Sequence, residues 1–203
     1  NPAPTETPVP DPNRDRSEVT TKELTLEPFE ALDVKGGFEV NVTQGETQKV
    51  ELEVNKDSID KVTATVADKS LKINTPDKFN AGHCTIKVTI PALKAISAEG
   101  TVLIKGTDIT TDSLSIAAKG TCTVELTGSV ENLTATAGDG VSLRLKGLDV
   151  KNCTINVNGK SFSQVKVSGN LTANAQDGSV IHYWGNPQIQ STVGKQAFLK
   201  KQR

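Results

Sequence analysis

At 203 residues, 35% of them hydrophobic but only 3% aromatic, the chain can bury one large core, built from Val, Ile, Leu and Ala rather than from rings. Its 23 basic and 24 acidic side chains nearly cancel, which argues against the basic stripe of a nucleic-acid binder and the acidic tail of a mimic. No apolar run is long enough to span a bilayer.

Pro2, Pro4, Pro8, Pro10 and Pro12 open the chain without apolar periodicity. Proline at this density favours extended chain and removes ladder donors. Residues 1–21 therefore read as a disordered, proline-rich tether, and the same composition fits an ordinary loose terminus. With no methionine anywhere, the sequence reads as a mature or trimmed segment. An export signal or a lipid-bearing cysteine would lie ahead of it.

Residues 22–203 read as a single β domain. Its first part, 22–90, predicts irregular strands. Leu32 and Val34, Phe38, Val40 and Val42, then Val50, Leu52 and Val54 alternate with polar residues. Val62, Ala64 and Val66, Leu71 and Ile73, and Ile86, Val88 and Ile90 do the same, with a polar break at 75–82. Period-two alternation between polar turns is the signature of a half-buried sheet.

A repeat of about 20 residues takes over across 91–187. Its runs begin at Leu93, Leu114, Leu133, Cys153 and Leu171, each with small or apolar residues two and four places on. Glu99-Gly100, Lys119-Gly120, Asp139-Gly140 and Asp177-Gly178 close four of them. A second run then follows, as in Cys122-Val124-Leu126, Val141-Leu143-Leu145 and Val180-His182-Trp184. The expected fold is all-β: a β-helix-like solenoid of about 20-residue coils, preceded by the irregular sheet region. Glycines at the bends are expected to supply positive φ. The stretch 188–203, with Phe198-Leu199 among Lys195, Lys200, Lys201 and Arg203, is expected to be a C-terminal cap or a fraying tail.

Chemistry is harder to find. His83 and His182 have no carboxylate at ligand spacing, and no nucleophile elbow, phosphate loop or dinucleotide fingerprint is present. Cys84, Cys122 and Cys153 fit no zinc pattern. Two of them occupy places where other coils carry Val or Leu, so three free, mostly buried thiols are expected. A disulfide would leave one over. No catalytic residue, metal ligand or cofactor is assigned. The candidate ligand-binding residues are Tyr183, Trp184, Asp139 and Asp177. Tyr183 and Trp184 are the only Tyr and the only Trp, and alternation puts them on opposite faces of a strand. They fit a sugar platform or packing against the tail. Asp139 and Asp177 occupy equivalent places. They suit either side-chain caps of their own turns or the paired carboxylates of a sugar-cleaving enzyme. Lys119 at an equivalent place favours the turn.

One resemblance bears on these readings. Leu26-Glu27-Pro28-Phe29-Glu30-Ala31-Leu32-Asp33-Val34, followed by Gly37-Phe38-Glu39-Val40-Asn41-Val42-Thr43-Gln44-Gly45, resembles the opening of the DUF2807 family, described as a "putative autotransporter adhesin, head GIN domain". The likeness continues through Asp68-Lys69-Ser70-Leu71-Lys72-Ile73, through Val88-Thr89-Ile90-Pro91-Ala92-Leu93, and at Gly178-Ser179-Val180 and Gly185-Asn186-Pro187. It implies an exported bacterial protein of a family with many lipoproteins from Bacteroides-like organisms, and a β-helix-like stack. It carries over no catalytic residues. The function expected is a non-catalytic cell-envelope domain, an adhesin for a glycan or an envelope protein. It would sit at the outer membrane surface or in the periplasm, meeting the membrane only through a lipid anchor or tether. A polysaccharide-acting enzyme and a structural element of an envelope assembly are the alternatives.

Overall fold

A computed structural model of the chain describes residues 18–75 and 84–203. Residues 1–17 of the expected tether, the polar break at 76–82 and His83 lie outside the described residues, and the last tether residues, Val19–Thr21, are not disordered but pair with Glu53–Asn55 in a strand.

The described chain is strand almost throughout, with no α-helix. Its strands are β1 (Val19–Leu24), β2 (Ala31–Gln44), β3 (Lys49–Asn55), β4 (Thr63–Ala67), β5 (Ser70–Asn74) and β6 (Cys84–Ile90). The long strands β7 (Ala95–Gly120), β8 (Thr123–Gly138), β9 (Ser142–Val157) and β10 (Phe162–Ala175) follow, then β11 (Val180–Trp184), β12 (Gln188–Val193) and β13 (Phe198–Lys201). One 3₁₀ turn, Lys56–Lys61, links β3 to β4.

From β7 onward each segment pairs in parallel with the segment 17 to 20 residues later, forming successive tiers. Leu114, Leu133, Cys153 and Leu171 fall in one register, as the repeat predicts. Inward columns run through the tiers. One passes Val40, Ile104, Val124, Leu143, Ser163 and Ile181. Another passes Ile116, Ala135, Ile155 and Ala173. Apart from Ser163 these residues belong to one buried hydrophobic cluster, so alternate side chains of every tier are withdrawn from water.

Several expectations need correction. The regular stack does not begin at residue 91. β2 is already a full tier, matched residue for residue with β7 from Ala31↔Ala95 to Thr43↔Thr107. β5 and β6 then form the tier on its far side, each parallel to β2. The chain lays down an inner tier first and comes back later to cover it, which a linear search for periodicity does not detect. At the other end, 188–203 is neither tail nor separate cap. β12 and β13 continue the parallel ladder, from Asn170↔Gln188 and Val180↔Phe198 onward.

Two further corrections concern phase. In the run Leu93-Ala95-Ser97 only Leu93 is buried, ahead of the strand, and within the strand the buried positions are Ile96 and Ala98 instead of Ala95 and Ser97. Ser115 N–H donates to the Lys94 carbonyl at 2.9 Å, so the offset here is 20 residues and Ile116 lies beside Ile96. In Val180-His182-Trp184 the buried neighbours are Ser179 and Ile181. Phase is set by the Asp-Gly turn, and the residue after the glycine turns inward whether it is Val141 or Ser179.

The glycines at this turn are conformational. Gly120 has φ 86°, and an added Cβ would sit 2.9 Å from the Gly100 carbonyl oxygen of the adjoining tier. At the other bend only Gly128 takes positive φ, 129°, and its Cβ would run into the Ile109 carbonyl. Gly106, Gly147 and Gly169 lie outside the positive-φ region, contrary to expectation.

Candidate functional site

Trp184 and Tyr183 close β11, opposite Lys166 and Val165 of β10. Strand alternation sends Tyr183 toward the core, where it packs half-buried, and leaves Trp184 facing outward. Lys146 Nζ lies 4.9 Å from the centroid of the Trp184 ring, a cation–π contact. Two residues back, His182 stands edge-on to Phe162, with ring centroids 5.1 Å apart and planes at 83°. The outward column through this region reads Thr123, Ser142, Phe162, Val180 and Phe198. It changes from hydroxyl to hydrocarbon over three tiers and ends on Phe198, which is 63% exposed.

The charge of this end is one-sided. Residues 178–203 hold four cationic side chains and no carboxylate. The remaining 19 Lys and Arg share the rest of the chain with all 24 Asp and Glu, a balance of +4 against −5. Sequence reasoning found Trp184 but missed Phe162 and Phe198. The available signal was the 18-residue spacing of Phe162, Val180 and Phe198. An asparagine ladder was missed too. Asn152 Nδ2 donates to Asn132 Oδ1 at 3.0 Å and Asn170 Nδ2 to Asn152 Oδ1 at 2.9 Å. Each asparagine stands one residue before a ladder position, so it too was legible.

Asp139 and Asp177 do occupy equivalent corners. Both are exposed, with φ 63° and 54°. Asn158 N–H donates to the Ala137 carbonyl and Gln176 N–H to that of Val157, each at 2.9 Å. Those bonds put Asp139, Gly159 and Asp177 on three successive tiers. The two carboxylates therefore belong to one edge, two tiers apart, roughly 10 Å at the strand spacing. They do not face each other across a cleft. Nor do they cap their own turns. Ser161 Oγ accepts the N–H groups of Gly140 and Val141, both at 3.2 Å, and Ser179 Oγ donates to the Val157 carbonyl at 2.9 Å. Asp suits these corners because it tolerates left-handed backbone.

Asp139 also lines a trough of about 300 Å³ with Ser97, Glu99, Ala117, Lys119 and Thr136. Glu99 sits between Lys119 at 3.2 Å and Lys35 at 3.6 Å. The Lys119 hydrogen bond, with the charges of both lysines, holds its carboxyl below the ordinary range. A general acid for glycoside cleavage needs the opposite shift. Among the described residues no group of three His, Cys, Asp or Glu is placed to hold a metal ion.

Long parallel ladders with polar outward positions, and a ring cluster at one end, define an all-β protein built from successive parallel strands. More particularly, the chain belongs to the DUF2807 family, described as "Putative auto-transporter adhesin, head GIN domain", whose model matches residues 28–187. That description is of exported, adhesive domains and names no catalysis. Among solved structures, a "putative adhesin" from Bacteroides fragilis is similar with a TM-score of 0.73 and 14% identity, over 91% of this chain and 97% of that one. A "putative lipid binding protein" from Parabacteroides distasonis gives 0.56 and 15%, over 93% and 98%. A "putative adhesin" from Parabacteroides merdae gives 0.53 and 16%, over 93% and 98%. At these identities the likeness concerns the fold alone. No curated protein matches the chain.

Proposed function

We propose that this chain is a non-catalytic cell-envelope binding domain, a β-helix-like solenoid held off the surface by the proline-rich segment ahead of β1 and lipid-anchored in the full-length protein. Its ligand is a glycan bearing acidic groups. One observation carries the reading: outward-facing Trp184, with Lys146 over its ring, stands beside the Phe162–His182 pair, next to a C-terminal segment, 178–203, that has no acidic side chain, while Asp149 in the neighbouring strands is paired with Lys166. Ring faces stack on the apolar faces of sugars, and ammonium groups pair with acidic substituents. The exposed polar positions along the long strands suit an extended ligand, and the separated corners of Asp139 and Asp177 count against a cleaving enzyme.

The test is a glycan array beside pull-downs from envelope extract, followed by titration using the fluorescence of Trp184. Lys146→Ala should weaken binding about tenfold, in line with a desolvated cation–π contact of up to ~2 kcal/mol. Asp139→Asn should leave it unchanged. Capture of an envelope protein with no glycan signal would move the ligand class to protein. Turnover of a polysaccharide that is lost in Asp139→Asn or Asp177→Asn would replace the proposal with an enzyme.

A further inference from the structure

The paired strands form a continuous path from β1 to β13, and among the described residues neither edge strand, β1 or β13, pairs with a further strand beyond it. Among the described residues β1 pairs only with β3, and β13 only with β11. Such edges carry unpaired N–H and C=O groups and invite another strand. Phe198 N–H is already used, donating to the Ser179 carbonyl at 2.9 Å. By alternation the N–H groups of Leu199 and Lys201 point away from the molecule.

The apolar surface is concentrated at the same places. Four large hydrophobic side chains are exposed among the described residues: Phe198 at 63%, Val19 at 50%, Val193 at 44% and Ile189 at 41%. All four lie on terminal strands. The two most exposed, Phe198 and Val19, are on β13 and β1. Ile189 and Val193 of β12 continue core columns, beside Leu171 and Ala175, with no described strand beyond them. The far end of the stack is covered instead. Leu24, Leu26, Ile59, Val62, Ala64 and Val66 pack against the core there. One end is thus open and the other closed, so the two are not alike.

Charge decides which surfaces meet. The open end carries Lys195, Lys200, Lys201 and Arg203 and would repel a second open end. Residues 18–30, which include β1, hold Glu18, Glu23, Glu27 and Glu30 against one lysine, Lys22. Lys56, Lys49 and Lys94 engage three of these glutamates, and Glu27 has no cationic partner among the described residues.

We propose that copies of this chain associate head to tail, with β13 of one copy adding to β1 of the next. β1 is antiparallel to β3, and β3 to β6, so β1 runs in the direction of the tiers. The new pair is therefore parallel and extends the ladder. Phe198 and Val19 leave water, the lysines of β13 approach the acidic segment, and Ile189 and Val193 are carried against the next copy. Such a contact is heterologous, so it repeats along a filament or closes into a ring. This inference goes beyond the ligand reading and does not depend on it, since its test uses no ligand.

The test is sedimentation of the full 203-residue chain, with Val19→Lys blocking one end and Phe198→Lys the other. The unmodified chain should grow past the dimer as its concentration rises from about 1 μM to about 1 mM, the range of a weak interface. Growth should fall with added salt. Each variant alone should stay monomeric, and an equimolar mixture should form dimers and nothing larger, because it contains one intact copy of each surface. Lys200→Glu with Lys201→Glu changes only exposed side chains. It should abolish growth with an unaltered unfolding temperature, which covers the case of a variant that fails to fold. An unmodified chain that remains monomeric throughout would overturn the proposal. So would a Val19→Lys variant that dimerises alone, since that result means two open ends meet.

Discussion

Ser161 Oγ lies 3.2 Å from the backbone nitrogen of Gly140, one tier away, and accepts its N–H together with that of Val141. A buried serine of one tier thus completes the turn of its neighbour. Ser179 continues this pattern by donating to the Val157 carbonyl, and Cys122 Sγ lies 3.2 Å from the Lys119 carbonyl in the corresponding column. The corner is held by the inward residue at the end of the turn, Cys122, Ser161 or Ser179, while Asp139 and Asp177 stay in water.

Ser161→Ala should therefore cost more than Asp139→Ala. The first strands the buried N–H of Val141 and the part-buried N–H of Gly140, for about 1–3 kcal/mol. The second removes a solvated carboxylate from a left-handed position and should cost about 1 kcal/mol or less, within the penalty such backbone carries. Urea titration of both variants measures the difference, and an equal or reversed order would return the capping role to Asp139.

Leu133 sits between Leu114 and Cys153 in its column and is 2% exposed. Truncation to Ala should destabilise the chain by about 2–5 kcal/mol. Asp177→Ala should cost about 1 kcal/mol, comparable with a lost local cap. A larger loss for Asp177→Ala in the same denaturant series would remove Leu133 from the core.

Ser163 is fully buried between Leu143 and Ile181, and its hydroxyl has no hydrogen-bond partner. A buried hydroxyl without a partner is a liability of about 1–3 kcal/mol. Ser163→Ala deletes the oxygen at almost constant volume and should raise stability by about 1 kcal/mol. A lower melting temperature for that variant would mean that the hydroxyl is satisfied in solution.

The three cysteines are unpaired and buried. Burial pushes the Cys153 thiol up from 9.0 to about 12 and the Cys84 thiol to about 11, and it also raises that of Cys122. Because the folded values lie above the unfolded one, the thiols' contribution is fully present below pH 9. It falls as pH rises from 9 toward 11–12, since only the unfolded chain then releases these protons. Thiol titration at pH 8 should find almost no reaction in the native protein and three reactive groups after unfolding without reductant. Fewer than three would reveal a disulfide.

The sequence by itself determined the β class, the tier length and most of the core. A 20-residue repeat with Asp-Gly or Lys-Gly at its corner leaves the strands few other registers, and alternation then assigns Leu114, Ile116, Leu133, Ala135, Cys153 and Ile155 to the inside. It also marked Trp184, because a lone tryptophan in an alternating strand must face one way. Only the tertiary structure decided the order of the stack. β2 is covered on one side by β7 and on the other by β5 and β6, all through long-range pairing that leaves no local trace. It also decided what the surface offers. Phe162, Lys146, His182 and Trp184 come together because each tier places its residues about one strand spacing from those of its neighbours. Asp139 and Asp177, equivalent in sequence, stay apart because a whole tier lies between them. Periodicity reports which residues share a column, and only the stacking shows which columns meet and which ends are left open.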